Sequence, residues 1–323
     1  MAKAIRIERT GGPEVLRLVD VDVGAPGPGE ARVRQTAVGV DFVDVYHRTG
    51  LYPLPLPTGI GVEAAGVVEA VGRDVAHVKP GDRVAYLAGP GAYATERNVP
   101  ADRLVRLPDF LDDRAAAGAW LKGLTAGALL LRTHPVAAGE TILVHAAAGG
   151  VGLIMVQWAK ALGATVIGVV STDAKAAVAR AHGCDHVVVS GREDFVARVK
   201  EITGGAGVPV VYDAVGKATF DGSLDCLRPL GTMVSFGNAS GPVPPVDVGL
   251  LGRKGSLFLT RPSVFTYTAR REDLERYAAA LLDVIGRGAV KVEVTRTFAL
   301  AEAAEAHRAL EGRGTTGSLV LLP

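Results

Sequence analysis

The sequence predicts an α/β protein that joins a β-rich domain to a domain built on a doubly wound parallel sheet. The chain has 323 residues, which is too many for one ordinary hydrophobic core, so two domains are expected. Residues 1–120 contain short strand-like segments separated by Gly/Pro turns, as in an irregular β domain. After Leu121 strands and helices alternate over six strands, which predicts a parallel sheet with helices on both faces.

The first part of the chain supplies the strands of the β-rich domain. Its apolar patterns and flanking turn residues predict strands at residues 3–8, 30–38, 66–71 and 83–87. Gly and Pro mark the turns at residues 11–13, 26–29 and 80–82. A helical period is clear in this part only at residues 40–48.

The alternating part and the tail complete the two domains. Strands are predicted at residues 141–145, 165–170, 186–190, 208–215, 231–236 and 256–260, with helices at 150–162, 173–182, 194–202 and 217–227. The tail follows as helix 271–285, strand 290–294, helix 300–310 and strand 318–322. Because the tail is too short for a domain of its own, we expect residues 261–323 to rejoin residues 1–121 and residues 122–260 to form the parallel sheet.

Composition and charge exclude several classes of protein. The residues are 48% hydrophobic and 21% charged, with a net charge of +1, which gives no reason to expect nucleic acid or an anionic membrane as partner. The most apolar stretch, residues 142–158, is broken by His145, Gln157 and glycines, so it predicts a buried strand and helix rather than a membrane span. The two cysteines, Cys184 and Cys226, and the absence of a signal-peptide pattern favour a cytoplasmic location.

A glycine-rich turn between a predicted strand and a predicted helix indicates a dinucleotide. The turn reads Ala147-x-Gly149-x-x-Gly152, which is a dinucleotide fingerprint with alanine at its first position. Small residues let the backbone approach a pyrophosphate, and the helix that starts near Gly150 directs free N–H groups at that anion. A tight turn that only packs helix against strand is the alternative, but the six-strand context favours a cofactor.

The end of the second strand favours NADPH over NADH. NAD-binding sites usually carry an acid there, whereas this strand ends at Val170. Ser171, Thr172 and Lys175 follow, and hydroxyl and ammonium groups suit a 2′-phosphate. Asp173 opposes this reading unless it caps its helix and points away.

Short motifs along the whole chain carry a family resemblance. They are GGPEVL at 11–16, VDVY at 43–46, GLYP at 50–53, EAAG at 63–66, LKGLT at 121–125, HAAAGGVG at 145–152, VSFGN at 234–238 and TRPS at 260–263. Through these motifs the chain resembles the quinone oxidoreductase (zeta-crystallin-like) family of the zinc-independent medium-chain dehydrogenase/reductase superfamily. The resemblance implies a GroES-like catalytic domain formed by both chain ends, an inserted Rossmann domain, and a cofactor in the cleft between them.

The same resemblance implies positions for the cofactor. The nicotinamide half is expected at residues 42–46, 236–239 and 261–263, the pyrophosphate at residues 150 and 151, and the 2′-phosphate at residues 171, 172, 175 and 313. The predicted cofactor-binding residues are Phe42, Tyr46, Gly150, Val151, Ser171, Thr172, Lys175, Phe236, Gly237, Asn238, Ala239, Arg261, Pro262, Ser263 and Arg313.

The chain lacks the zinc ligands of the related alcohol dehydrogenases. Asp41 stands where those enzymes place a zinc-binding cysteine, and Val62 stands where they place a histidine, so no tetrahedral zinc site is predicted. His182 and His186 have i, i+4 spacing, but Gly183 is expected to end the helix that would bring them together. No metal is therefore predicted.

A chain that lacks zinc ligands is suited to an electron acceptor whose developing charge needs little stabilisation by the protein. Simple alcohol oxidation needs a Lewis acid or its equivalent, whereas a quinone accepts electrons readily and spreads the charge over its ring. Tyr46 and Tyr52 are candidates to stack on a flat ring or donate to its carbonyl, and Asp41 is a candidate to exchange a proton. Ordinary packing at a domain edge is the alternative for the two tyrosines. The predicted function is NADPH-dependent quinone reduction without a metal.

Two other functions stay open at this point. One is an NADPH-dependent alkene or enone reductase with Tyr46 or Asp41 as proton donor, and the other is a cofactor-binding structural or regulatory protein. Relatives often carry Asn at position 41 and tyrosines near the cofactor, where this chain has Asp41, Ala128 and Ser190. The apolar strand predicted at residues 256–260 lies at a sheet edge, and the resemblance implies a homodimer formed there.

Overall fold

The computed structural model describes residues 1–323, and the strands form three sheets. The chain divides into unit 1, which contains Met1–Lys122, Thr268–Ala279 and Val292–Pro323, and unit 2, which contains Gly123–Tyr267 and Ala280–Lys291. Each unit has its own cluster of buried apolar side chains. None of the helices combines the length and apolar composition that a membrane-spanning segment needs. The domain boundaries predicted at residues 121 and 260 stay a prediction.

The first eight strands belong to unit 1. The elements in chain order are β1 Ala2–Ile7, β2 Arg17–Val21, β3 Glu30–Val40, α1 Phe42–Thr49, β4 Thr58–Gly59, β5 Glu63–Val71, β6 Arg83–Leu87, β7 Glu96–Pro100, β8 Leu104–Arg106 and α2 Asp113–Ala128. A small sheet has the strand order β2-β1-β4.

The strands of unit 2 alternate with helices. Its elements are β9 Thr141–His145, α3 Gly150–Ala161, β10 Thr165–Val170, α4 Asp173–Ala181, β11 His186–Val189, α5 Phe195–Ile202, β12 Val208–Asp213, α6 Phe220–Asp225, β13 Leu227–Ser235, α7 Val248–Arg253, β14 Phe258–Thr260 and α8 Val264–Tyr267. All neighbouring strands pair in parallel, in the order β11-β10-β9-β12-β13-β14. This is the doubly wound order, in which ligands bind beyond the carboxyl ends of the strands where the order reverses, here between β9 and β12.

The C-terminal strands complete the large sheet of unit 1. The last elements are α9 Arg271–Gly286, β15 Val294–Ala299, α10 Ala303–Glu311 and β16 Ser318–Leu322. The sheet has the order β15-β16-β3-β5-β6-β8, with β7 also paired to β3. Strand β16 pairs antiparallel with β3, so the two ends of the chain share one sheet.

The predicted fold class is confirmed, and the differences lie in individual elements. Helix α2 was not predicted because nearly all of its residues from Ala116 onward are buried, so no polar face produces a helical period. The strand predicted at residues 290–294 is wrong, since β15 begins only at Val294, where parallel pairing with β16 starts. The helix predicted at 217–227 shortens to α6, and β13 begins earlier than predicted, at Leu227.

A buried chain of hydrogen bonds joins α1 to α10 within unit 1. The Arg48 side chain is 1% exposed and donates to both carboxylate oxygens of Glu311 at 2.8 Å. Its Nη1 also lies 3.1 Å from Nδ1 of His307, and because a guanidinium only donates, Nδ1 is the acceptor and the ring proton is on Nε2. That Nε2 donates to Tyr93 Oη at 3.0 Å, and Tyr93 donates to Asp44 Oδ2 at 3.0 Å. From Arg48 through His307 and Tyr93, each of these hydrogen bonds is donated in the direction of Asp44.

This arrangement predicts a loss of stability in acid. Burial, together with the positive charge of Arg48, lowers the pKa of His307 from 6.5 to about 3. Between these values the unfolded chain binds a proton that the folded chain does not, so the free energy of unfolding decreases as the pH falls through this window. At pH 4.5 the decrease due to His307 is about 2–3 kcal/mol, taken at about 1.4 kcal/mol per pH unit.

The variant His307→Gln keeps an acceptor and a donor but does not titrate, so its stability is expected to depend less on pH than that of the wild type. The measurement is the urea midpoint at pH 7 and pH 4.5, with His186→Gln, an exposed histidine, as the control. Equal pH dependence in wild type and His307→Gln would show that His307 is not the cause.

Candidate active site

The glycine-rich turn of unit 2 presents bare backbone at the start of a helix. It follows β9, and Ala146 takes the left-handed conformation with φ +52° while its carbonyl accepts from Gly149 N at 2.8 Å. Gly149 is the N-cap of α3 and offers no side chain to the first N–H groups of the helix. A Cβ at Gly152 would lie 2.2 Å from the Ala146 oxygen, so only glycine allows α3 to pack this closely. Uncapped N–H groups with a positive dipole end fit a phosphate group.

The end of β10 is followed by two exposed hydroxyl residues and an acid that is paired with an arginine. Ser171 and Thr172 follow the buried end of the strand, and Thr172 is the N-cap of α4, with its Oγ1 accepting from Lys175 N at 3.3 Å. Asp173 is thus not the cap. Its Oδ1 instead accepts from Arg192 Nη2 at 3.0 Å, which places a cation against the acid that opposed NADPH in the sequence.

The predicted residues at 236–239 and 261–263 are brought together in unit 2. Arg261 Nη1 donates to the Ser235 carbonyl at 2.8 Å, which links the ends of β13 and β14. The hydrogen-bonding pattern places the amide oxygen of Asn238 3.0 Å from Arg261 Nη2. Phe236 N donates to the Asp213 carbonyl at 2.8 Å, and a Cβ at Gly237 would lie 2.3 Å from the Ala214 oxygen. Pro262 and Ser263 follow directly in the loop before α8.

Asp213 organises the loop that follows β12 and was not identified from the sequence. Its Oδ1 accepts from the backbone of Val215 at 2.7 Å and of Gly216 at 3.0 Å. Its Oδ2 accepts from Ser223 Oγ at 3.0 Å, and that hydroxyl also contacts Nε2 of His145 at 3.0 Å. Because the serine is fully buried and bonded to the acid directly, this Ser, His and Asp contact holds the turn and is not arranged as a hydrolytic triad.

The aromatic side chains predicted near the nicotinamide or the acceptor lie on α1 of unit 1 and in the loop after it. The ring centroids of Phe42 and Tyr46 lie 6.1 Å apart, and those of Tyr46 and Tyr52 lie 5.1 Å apart in an edge arrangement. The backbone N–H of Tyr52 donates to the Tyr46 carbonyl at 3.0 Å, which holds the loop after α1 against the helix. Tyr46 is buried, whereas Phe42 and Tyr52 are half-buried.

Asp41 lies in a buried cluster of charges in unit 1. It is the N-cap of α1, and its backbone N–H donates to Asp44 Oδ2 at 2.9 Å. Its Oδ1 contacts Nζ of Lys122 at 2.7 Å, and the same Nζ contacts Glu63 Oε1 at 3.2 Å. Glu63 also accepts from the backbone N–H of Leu121. Asp41, which stands where related enzymes have a zinc-binding cysteine, therefore contacts an ammonium group.

Burial shifts the protonation of this cluster. Desolvation, followed by the charge of Asp41, raises the pKa of Glu63 and that of Asp44 well above their ordinary values. For Lys122, desolvation lowers the pKa but the two carboxylates outweigh it, so its pKa is raised and the ammonium form is retained. The cluster thus keeps its cation and favours the protonated forms of Glu63 and Asp44.

The remaining candidate positions are Arg313 and the histidine pair considered for a metal. Arg313 lies in unit 1 in the turn between α10 and β16, exposed and with φ +55°. Helix α4 ends at Ala181 with His182 as its C-cap, and Gly183 has φ +103°, so the helix stops where the sequence predicted and His182 and His186 share no helical face. No three His, Cys, Asp or Glu side chains are placed to hold a metal ion.

Sequence reasoning missed several residues that the fold makes prominent. Lys122, Glu63, Asp213 and Arg192 were not chosen as site residues. A charged residue inside an apolar run, such as Lys122 after Leu121 or Glu63 before Ala64, is the signal that could have found two of them.

Comparison with known proteins assigns the chain to a family. A family model described as an alcohol dehydrogenase GroES-like domain matches residues 27–109, and one described as a zinc-binding dehydrogenase matches residues 150–283. A quinone oxidoreductase from Pseudomonas aeruginosa is 52% identical over 325 residues, covering 100% of each chain. The chain belongs to the quinone oxidoreductase family. The family recognised from the sequence motifs is thereby confirmed.

The same family includes a solved relative with almost the same fold. The structure of Escherichia coli quinone oxidoreductase complexed with NADPH superposes with a TM-score of 0.98 at 47% identity, covering 99% of this chain and 100% of that one. A 2-haloacrylate reductase from a Burkholderia species is 48% identical over 332 residues, covering 100% of this chain and 99% of the relative.

Proposed function

We propose that this chain is an NADPH-dependent quinone oxidoreductase. The observation that carries the proposal is the turn after β10, where Ser171 and Thr172 are exposed, Thr172 is the N-cap of α4, and Asp173 is paired with Arg192. A site built for NADH would keep a free acid at the end of β10. The proposal is further supported by a full-length relative named quinone oxidoreductase and by a solved relative complexed with NADPH.

The residues of unit 2 have distinct tasks in cofactor binding. The N–H groups of Gly150 and Val151 would bind the pyrophosphate, because no side chain caps them. Ser171, Thr172 and Lys175 would hold the 2′-phosphate, and Arg313 of unit 1 is proposed to contact the same group. The bound cofactor supplies a hydride, and the protein supplies binding, orientation and electrostatics. Its position in a cleft, implied by the family resemblance, stays a prediction.

The aromatic cluster of unit 1 is proposed to receive the acceptor. Tyr46 and Tyr52 meet edge to face, and the half-buried ring of Tyr52 has a surface on which a flat ring can stack. Their hydroxyls can donate to a quinone carbonyl. Holding the acceptor in the right orientation is a large part of the catalytic effect, since a quinone accepts electrons without strong activation.

An NADPH-dependent enone reductase is the second candidate. It is favoured by the 48% identity to a 2-haloacrylate reductase and by the acid Asp41, a residue type that can provide the proton such a reaction needs.

The function is tested by incubating the protein with NADPH and a panel of quinones and enones. Oxidation of NADPH with each quinone and little turnover of enones is the expected result. A saturated product from enones with no quinone turnover would instead identify the second candidate. Binding of NADPH without turnover of any acceptor would contradict both.

Cofactor selectivity is expected to depend on Lys175 and Arg313. Each charge-assisted hydrogen bond contributes about 1.5–3 kcal/mol, so Lys175→Ala and Arg313→Ala should each raise the Kd for NADPH about tenfold or more. The Kd for NADH should stay nearly unchanged, as measured by calorimetric titration. Lys200→Ala, an exposed lysine on α5, is the control. Equal losses for both nucleotides would contradict the phosphate assignment.

We also propose a homodimer formed through the edge of the six-stranded sheet and a cytoplasmic location. Strand β14 is the last strand of that sheet, and Phe258 and Leu259 are 60% and 36% exposed. An apolar edge of this kind favours pairing with a second copy. Both cysteines are unpaired and buried, as suits a reducing compartment.

The variant Phe258→Lys places a charge on this edge and is expected to shift the protein from dimer to monomer in sedimentation. Phe110→Lys, at a residue of unit 1 that is also 60% exposed, is the control and should remain dimeric. A wild type that sediments as a monomer would refute the dimer.

A further inference from the structure

We infer that Asp41 and Glu63 share one proton beside the Lys122 ammonium, and that this pair provides the proton for reduction of the acceptor. The second half of the inference rests on the proposed function. The first half concerns this chain alone. Both carboxyl groups and the ammonium belong to unit 1, on the N-cap of α1, on β5 and on α2.

The geometry of the two carboxyl groups favours a shared proton. Oδ1 of Asp41 and Oε1 of Glu63 both contact Nζ of Lys122, at 2.7 Å and 3.2 Å. Ionised carboxylates only accept, so the two acids compete for one ammonium group unless one of them is protonated and donates. Oδ2 of Asp41 is buried and has no donor in the protein. A proton on the pair removes this unpaired charge, which is costly in a buried site.

The balance of charge leads to the same result. Two carboxyl groups, those of Asp41 and Glu63, contact one ammonium, and the three side chains are at most 6% exposed. With both acids ionised the triad would carry one uncompensated negative charge in a medium that solvates it poorly. The raised pKa of Glu63 supports a proton held at neutral pH.

The neighbouring groups do not remove the need for this proton. On α1, Asp44 supplies no cation and its pKa is itself raised by burial, and the cation Arg48 is bound to Glu311. The remaining titratable or charged groups near the cluster are Tyr93 in the loop before β7, His307 on α10, Tyr86 on β6 and Arg97 on β7, which lies over the Tyr86 ring. The pKa of His307 is lowered, so that ring is neutral, and burial raises the pKa of Tyr86 to about 12.

Exposure indicates which member of the pair can pass the proton on. The Glu63 side chain is fully buried, whereas those of Asp41 and Lys122 are each 6% exposed. Because the pKa of Lys122 is raised, the ammonium keeps its proton and acts as a positioning group. Asp41 is therefore the less deeply buried acid of the pair and is assigned the transfer step, with Glu63 as the store behind it.

The proposed step balances with the hydride from the cofactor. Reduction of a quinone by two electrons adds the hydride and one proton, and the cofactor is oxidised by the same two electrons. The O–H bond of Asp41 breaks as a new O–H bond forms on the quinone oxygen. Glu63, and then solvent, returns a proton to Asp41.

The shared proton is tested first without cofactor, by infrared spectroscopy of the protein at pH 7. Removal of either acid leaves the other one paired with Lys122 and ionised. Asp41→Asn and Glu63→Gln should therefore each lose the same component of the protonated-carboxyl band, while Asp44 contributes to all spectra. Glu69→Gln is the matched control, because it lies on the same strand and is exposed. An identical band in all four proteins would overturn the shared proton.

The role in reduction is tested by the pH profile of kcat with a quinone. In the wild type kcat should fall as rising pH removes the proton from the pair. In Asp41→Asn this step should vanish, and kcat at neutral pH should fall by up to about a hundredfold, the lower end of what a positioned general acid contributes. Asn is the residue that relatives often carry here, so the variant should fold.

The outcomes separate this inference from the proposed function. An unchanged pH profile in Asp41→Asn, with quinone turnover intact, would overturn the catalytic role of the pair. If the wild type turns over no quinone but shows the band that both variants lose, the proposed function fails and the shared proton stands.

Discussion

The burial of the Lys122 ammonium among carboxyl groups is the constraint on which unit 1 depends most. Removing one partner of a buried ion pair costs about 3–5 kcal/mol, because the remaining charge is left without solvent or counter-ion. The cluster fixes the start of α1 through Asp41 and Asp44 and the start of β5 through Glu63. The aromatic cluster that follows Asp41 on α1 takes its orientation from this anchor.

Unit 2 depends on a different constraint, the topology of a parallel sheet. All six carboxyl ends lie at one edge, so turns that are far apart in sequence meet there. The turn after β9 is held by the absence of a side chain at Gly152, and the loop after β12 by the side chain of Asp213. In the first turn the backbone N–H groups stay available, and in the second loop they are bonded to Asp213. Neither turn places a bulky side chain at the edge where a nucleotide would bind.

Much of the fold followed from local pattern. Strand–helix alternation predicted the parallel sheet, and the motif ending at Gly152 located its phosphate turn. The failures have physical causes. Helix α2 is buried along most of its length and so has no amphipathic period. Strand β15 begins where it can pair with β16, and not at the start of the alternating valines of residues 290–294. Local propensity is a weak signal wherever long-range pairing decides the structure.

The sequence by itself determined the family, the class of fold, the glycine turn and the absence of an acid after Val170, because these depend on residue type and spacing. Only the tertiary structure decided that Asp173 pairs with Arg192 and that Asp41 and Glu63 both contact a buried ammonium. The partners in these contacts come from different strands and helices. Their protonation depends on burial and on charges brought close by folding, and neither quantity is encoded in the spacing of residues along the chain.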